Sequence, residues 1–248
     1  SHQATSPHVI RALLPRKVRV GRQPLALGFE SHWLTQGYPG PGARLAVACS
    51  GGVDSLTLLH LLRFSTPALD VRPVVAHFDH RMRVGSELDA EWLRGVSASW
   101  VLPVVLGESP RTPTDEAEAR ELRYQFLEGL VQRGEVDAVL TAHHADDQVE
   151  TILFRALRGT GVTGLRGIPE RRAPGVLRPL LPFARAEVQA YAVGQHLRPR
   201  VDPTNRSLHF ARNRVRLQLL PLLEEVHPGA RTGLLRLARN AARVGVAL

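Results

Sequence analysis

A chain of 248 residues with 44% hydrophobic content can bury a full core, which excludes a disordered tail or a stapled miniprotein. The net charge of +9 suits a polyanionic partner, nucleic acid first, although basic residues that are all arginine except Lys17 also fit a bias in base composition. One cysteine, Cys49, excludes an internal disulfide framework and a multi-thiolate metal site. No apolar run approaches the ~18 residues of a membrane span, so a reducing, cytoplasmic setting is expected.

Residues 1–40 read as an irregular segment with scattered Pro and Gly, holding at most a short helix near Val9–Leu14. From Arg44 the pattern changes. Leu45–Cys49 is a short apolar run of the kind a buried parallel strand needs. Leu56, Leu58, Leu59, Leu61 and Leu62 then give a helix with one broad apolar face. Val71–Phe78 predicts a second strand, Glu87–Val101 a helix, Val104–Leu106 a short strand and Gly107–Pro113 a loop. Thr114 is the expected cap of a helix running to about Arg133, whose first turn carries Asp115, Glu116 and Glu118. Val136–Thr141 predicts a strand and Asp146–Arg158 a helix. Such alternation implies βαβ units, with ligands beyond the C-terminal ends of the strands. Residues 159–182, rich in Gly and Pro, read as a long loop: either a lid that closes over a substrate or a set of turns. The remainder is helical, over Ala184–His196, Leu208–Glu225 and Gly229–Val246. The expected organisation is an irregular segment 1–40, an α/β domain 41–183 and a helical extension 184–248.

The chemistry starts at Ser50-Gly51-Gly52-Val53-Asp54-Ser55, where the first strand turns into the first amphipathic helix. Two glycines let the backbone turn tightly with N–H groups outward, and the positive end of the helix faces the same spot. Ser50 and Ser55 add hydroxyls. This is a phosphate cradle but not a Walker A loop, because no Gly-Lys-Ser/Thr is present. His77 and Asp79 share a side of the second strand; a packed or hydrogen-bonded histidine is the alternative to a metal pair. Asp147 and Glu150 lie three apart on one helical face, where two carboxylates can hold an ammonium or serve the helix dipole. Arg120 and Arg123, also three apart, suit bidentate contacts to phosphate or a solvated basic face.

The loop resembles the PP-loop of ATP pyrophosphatases, which cleave ATP to AMP and pyrophosphate. Further motifs narrow the resemblance: His77-Phe78-Asp79-His80, Ala119-Arg120-Glu121-Leu122-Arg123-Tyr124, and His143-His144-Ala145-Asp146-Asp147-Gln148-Val149-Glu150-Thr151. Arg158-Gly159-Thr160-Gly161, Arg178-Pro179-Leu180-Leu181, Asp202-Pro203-Thr204-Asn205 and Arg212-Asn213-Arg214-Val215-Arg216 follow in order. Together, over about Leu45–Leu223, they look like the tRNA(Ile)-lysidine synthetase family.

That resemblance implies a PP-loop ATPase fold, a Rossmann-like parallel sheet with helices on both faces and a C-terminal helical extension. It implies ATP as co-substrate with Mg2+, and ligation of L-lysine to the wobble cytidine of tRNA(Ile) with a CAU anticodon, through an adenylated cytidine. Ser50, Gly51, Gly52, Val53, Asp54, Ser55 and Asp79 are then the ATP residues, and Asp54 also places Mg2+. Asp147 and Glu150 bind lysine and, with Asp54, Arg120 and His143, form the catalytic set. Arg123, Arg212, Asn213 and Arg216 contact tRNA. Family members are often homodimers and commonly carry further C-terminal tRNA-binding domains, which these 248 residues lack. The rival readings are tRNA thiolation, disfavoured by the single Cys49, a catalytically inactive RNA-binding module, and an RNA-independent PP-loop ligase, disfavoured by the charge.

Overall fold

The computed structural model describes residues 23–82, 85–200, 208 and 211–244. The expected helix at Val9–Leu14 and the Asp202–Asn205 motif lie outside them. By packing, the described residues form two compact units. The first contains the residues up to Ala142, with Arg171–Pro179 and Ala186–Arg200; the second contains His143–Glu170, Leu180–Arg185 and the residues beyond 200. The units interleave along the sequence, whereas the expected division at 183–184 is one of chain order.

The first unit is built on a six-stranded sheet. Its strands are β1 (Arg44–Ala48), β2 (Arg72–Asp79), β3 (Val104–Glu108), β4 (Ala138–Leu140), β5 (Arg171–Arg172) and β6 (Val176–Leu177), in spatial order β3-β2-β1-β4-β6-β5. All pairings are parallel except β5 with β6. Ala46 and Val47 point to opposite faces of β1, and both are fully buried, so both faces of the sheet are covered. One face packs Ala46, Val74, Ala76 and Val139 against Tyr124, Leu127 and Leu130. Each Val or Leu among them contributes about 1.5–3 kcal/mol when fully buried.

Helices α2 (Val53–His60), α3 (Glu87–Trp100) and α4 (Glu116–Gln132) follow β1, β2 and β3. Because β2 and β4 flank β1, the strand order reverses at β1, and a parallel sheet leaves its ligand crevice at that point. In the second unit, α5 (Ala145–Leu157) packs Val149 with Val215 and Leu220. Further along, the described residues hold α6 (Val162–Leu165), α7 (Arg185–Gly194), α8 (Ala211–Arg214), α9 (Leu220–Val226) and α10 (Ala230–Val244). Among the described residues no helix is long and apolar enough to cross a membrane.

Five expectations are corrected. The segment 1–40 contains a twelve-residue helix, α1 (Pro24–Thr35), with Leu25, Ala26, Phe29 and Trp33 buried. Pro24, one of the prolines scattered through that segment, stands in the first turn, where a missing N–H costs nothing. Asp115, not Thr114, caps α4: its carboxylate accepts from the Glu118 N–H (2.8 Å), while the Thr114 N–H and hydroxyl both donate to Glu118. Strand β3 runs two residues further than expected, through Gly107, where a Cβ would strike the Phe126 ring at 2.6 Å. Residues 159–182 are not one long loop. They hold α6 and the short strands β5 and β6, and Gln148 clasps both the N–H and the carbonyl of Ile168. Lastly, the helix expected over Leu208–Glu225 is interrupted by a π-helical turn, Val215–Leu219, just ahead of Pro221, which offers no N–H.

Candidate functional site

In the first unit β1 runs straight into the glycine turn. Gly51 adopts φ +85°, a conformation L side chains rarely take, and a Cβ there would press on Trp92 at 3.4 Å. The Gly51 carbonyl accepts from the Arg200 backbone N–H (2.9 Å), which directs that carbonyl toward Arg200. The Arg200 guanidinium is itself anchored by Asp89 at 2.7 Å and by the Leu88 carbonyl. Gly52 stands at the N-cap of α2 with no side chain to cap the helix. Its N–H donates to the Ser50 hydroxyl (3.3 Å), and the Ser55 hydroxyl donates back to its carbonyl (3.1 Å). Val53 and Ser55 thus begin a helix whose first-turn N–H groups lie outside its own ladder, next to exposed Ser50 and half-buried Asp54. An uncapped glycine N-terminus that no Cβ fills fits a phosphate chain, and Asp54 in its first turn fits a hard cation.

Asp79 ends β2 in a local turn, accepting from the Arg81 N–H (2.8 Å) and the Ser86 hydroxyl (3.0 Å). His77 is buried with Nδ1 2.8 Å from the Cys49 carbonyl, the hydrogen-bonded alternative of the sequence reading. Arg120 and Arg123 both stand beside Tyr124, their guanidinium carbons 5.0 and 5.6 Å from its ring. Two more arginines join them. Arg172 lies 4.3 Å from the ring centroid, and Arg178, fully buried, donates to the Tyr124 hydroxyl at 3.2 Å. Burial alone would raise the Tyr124 hydroxyl, but Arg120 and Arg178 together hold it below the usual tyrosine value. Burial and the adjoining Arg120 and Arg178 likewise lower Arg123. Arg178 is buried and Arg172 pairs with Glu128 at 3.1 Å, but four guanidinium groups around one tyrosine still make a cationic cluster suited to phosphate.

In the second unit the two carboxylates stand as the spacing predicts, one turn apart at the start of α5, and they differ sharply in surroundings. Asp147 belongs to a capping box: the His144 N–H donates to its carboxylate (3.0 Å), and its own N–H donates to His144 Nδ1 (3.4 Å). His144 is fully buried, so the cap occupies that histidine, while His143 is half-buried. Glu150 is also fully buried, with Arg185 Nη2 3.5 Å from one carboxylate oxygen and Arg212 Nε 3.4 Å from the other. Burial, and then the nearby Asp147, holds the Glu150 carboxyl above the usual range despite Arg185, Arg212 and Arg216. Arg212 also donates to the Thr151 hydroxyl, and Arg216 to the Asn213 amide oxygen. Asp146, which no role was given, accepts from the Arg185 backbone N–H (2.8 Å) and pairs with Arg231 at 2.5 Å.

Sequence reasoning missed Arg172, Arg178, Arg185, Arg200 and Arg231. Arg178 lay in a quoted motif without a role. For the others the chain offers no local signal, because their partners are distant in sequence.

A glycine turn feeding a helix at the reversal point of a parallel sheet defines a PP-loop nucleotide-binding domain. The PP-loop domain family matches residues 31–223, and the chain belongs to that family. It is 42% identical over 189 residues to the tRNA(Ile)-lysidine synthase of Gloeobacter violaceus, covering 75% of this chain and 58% of that protein. To the tRNA(Ile)-lysidine synthase of Thermotoga maritima it is 36% identical over 203 residues, 79% of this chain and 49% of that one. The chain spans about half the length of the curated relatives it matches. Among solved structures, the U34-tRNA thiolase of Methanococcus maripaludis, determined with its 4Fe-4S cluster, superposes with a TM-score of 0.69 at 14% identity. That alignment covers 86% of this chain and 77% of the thiolase, a likeness of fold alone.

Proposed function

We propose that this chain joins free L-lysine to the wobble cytidine of a tRNA(Ile) bearing a CAU anticodon, through an adenylated cytidine, with release of AMP and pyrophosphate. The carrying observation is the carboxylate pair on α5, where buried Glu150 faces guanidinium groups on both oxygens and Asp147 lies one turn before it. A cationic side chain is the natural ligand of such a site, and the relatives named tRNA(Ile)-lysidine synthase support lysine as that ligand.

ATP would supply the adenylate that activates the cytidine carbonyl oxygen, and Mg2+ would screen the departing pyrophosphate. Ser50, Gly51, Gly52, Val53 and Ser55 hold the phosphates, Asp54 places the cation and Asp79 borders the nucleotide. Arg120 neutralises charge on the transferred group, and Arg123 meets RNA phosphate. Asp147 and Glu150 hold the ε-ammonium, and one of them takes its proton, because a protonated amine cannot attack. His143 borders the reacting base. Arg212, Asn213 and Arg216 position the tRNA backbone. The cytoplasm is the proposed setting and a homodimer the proposed assembly.

Thiolation is the lesser reading. This chain's one cysteine, Cys49, is buried, and burial pushes its thiol up to about 12, so little thiolate forms to carry sulfur.

The test is incubation of the full-length enzyme with ATP, Mg2+, labelled L-lysine and the CAU tRNA(Ile). Label should pass to this tRNA and not to tRNA(Met). Asp147→Asn and Glu150→Gln should each raise the lysine KM at least tenfold, by order of magnitude for one lost charged contact, with the ATP KM little changed. Absence of lysine-dependent AMP release would sink the reading.

A further inference from the structure

The acidic pair on α5 already has a cation in it. A single nitrogen, Arg185 Nη2, lies 3.5 Å from Glu150 and 4.0 Å from Asp147, and so stands between the two carboxylates. Arg185, Arg212 and Arg231 pair with Asp146, Asp147 and Glu150; Arg216 also acts on Glu150 and Glu224 on Arg231, so four arginines balance four acids. An ammonium added to that set is one positive charge too many in a desolvated place, unless one guanidinium leaves.

The three paired arginines are not equally held. Arg231 grips Asp146 at 2.5 Å and reaches Glu224 as well. Arg212 is tied to Glu150 and to the Thr151 hydroxyl. Arg185 has only the two longer contacts, and among the described residues its Nε finds no acceptor. Its backbone is fixed independently, since Asp146 holds the Arg185 N–H at 2.8 Å. The side chain is therefore free to swing outward without loosening the start of α7, and a quarter of it is already exposed. When it leaves, Arg212 still faces Glu150, so the buried carboxylate is never without a cation.

Resting on the assignment of lysine to this pair, we infer that Arg185 is a placeholder cation, which occupies the ammonium position in the lysine-free protein and must be displaced by the substrate. Lysine binding is then an exchange of one cation for another. The exchange keeps the site neutral in both states, and it sets the lysine affinity below what two carboxylates alone would give. Arg185 is a positioning residue, acting on lysine through Asp147 and Glu150.

The experiment measures equilibrium dissociation constants for L-lysine and for ATP on the full-length enzyme carrying Arg185→Gln, Arg185→Lys or Glu150→Gln. Arg185→Gln should bind lysine about fivefold more tightly, the scale of one partly exposed ion pair released from competition. Its ATP affinity should not move, which also reports that the protein is folded. Arg185→Lys should return toward the original lysine affinity, because an ammonium again competes. If Arg185→Gln leaves lysine binding unchanged or weakens it while Glu150→Gln weakens it too, lysine uses the pair and Arg185 supports it; the placeholder is then wrong. If Glu150→Gln leaves lysine affinity untouched, the lysine site itself is misplaced, and both ideas fall.

Discussion

Glu150 shows how one residue can be read from its surroundings rather than its neighbours in sequence. Burial and the charge of Asp147 raise its carboxyl, and three arginines pull it back without fully restoring the ordinary value. An ionised Glu150 attracts an ammonium and a protonated one does not. The raised value therefore moves the loss of lysine binding upward in pH, into a window that opens above the ordinary glutamate pKa of about 4.3. As pH falls through the raised value, the lysine dissociation constant should climb by up to about tenfold per unit, the limit for one linked proton. In Glu150→Gln that climb should vanish from the same window, because the amide does not titrate. Binding is the quantity to measure, since the rate also follows deprotonation of the attacking amine. A profile in the variant that matches the original would show that another group controls the site.

At the scale of elements, α5 carries the constellation and its N-terminus sets the geometry. His144 caps the helix, and the same box ties down Asp147. His144→Ala should cost about 1 kcal/mol or more as a lost cap, and the freed Asp147 should raise the lysine dissociation constant. His144→Asn, which restores an acceptor at the cap, should recover much of both losses in thermal unfolding and lysine titration. Equal damage from both variants would mean that burial of the ring, not the cap, is what matters. This cap also marks where the sequence stopped being readable. Helix α5 was legible from its apolar period, and its start was placed at Asp146, one residue late, because histidine is not a usual N-cap. The β1–turn–α2 unit was legible because its apolar strand, glycines and amphipathic helix are all local signals, although Leu61 and Leu62, read as part of that helix, stand in a π-helical turn, Leu61–Ser65. The guanidinium partners of Glu150 were not: Arg185 and Arg212 lie 35 and 62 residues away, and only packing brings them to it. Helix α1 was missed because Pro24 and Gly28 masked the spacing of Leu25, Ala26, Phe29 and Trp33.

On the scale of the whole molecule the excess charge is unevenly spread. Residues 211–244 contain seven arginines against Glu224 and Glu225. Helix α10 has no acidic residue, and its inner side is fixed by buried Ala238 and Ala241 with Leu234 and Leu235 packed on the core. That orientation leaves Arg236, Arg239 and Arg243 exposed at i, i+3 and i+7, along one side of the helix. The proposed function makes this row a contact for RNA backbone, and a solvated basic face is the competing account. Salt dependence separates them. Each phosphate contact adds roughly 0.7–0.9 to the slope of log affinity against log salt, so replacing all three arginines with glutamine should flatten the slope by about two to three. An unchanged slope would leave the row as solvated surface. Arg231 is the internal control. It lies on the same helix but is engaged by Asp146 and Glu224, so Arg231→Gln should lower thermal stability while leaving the salt slope where it was.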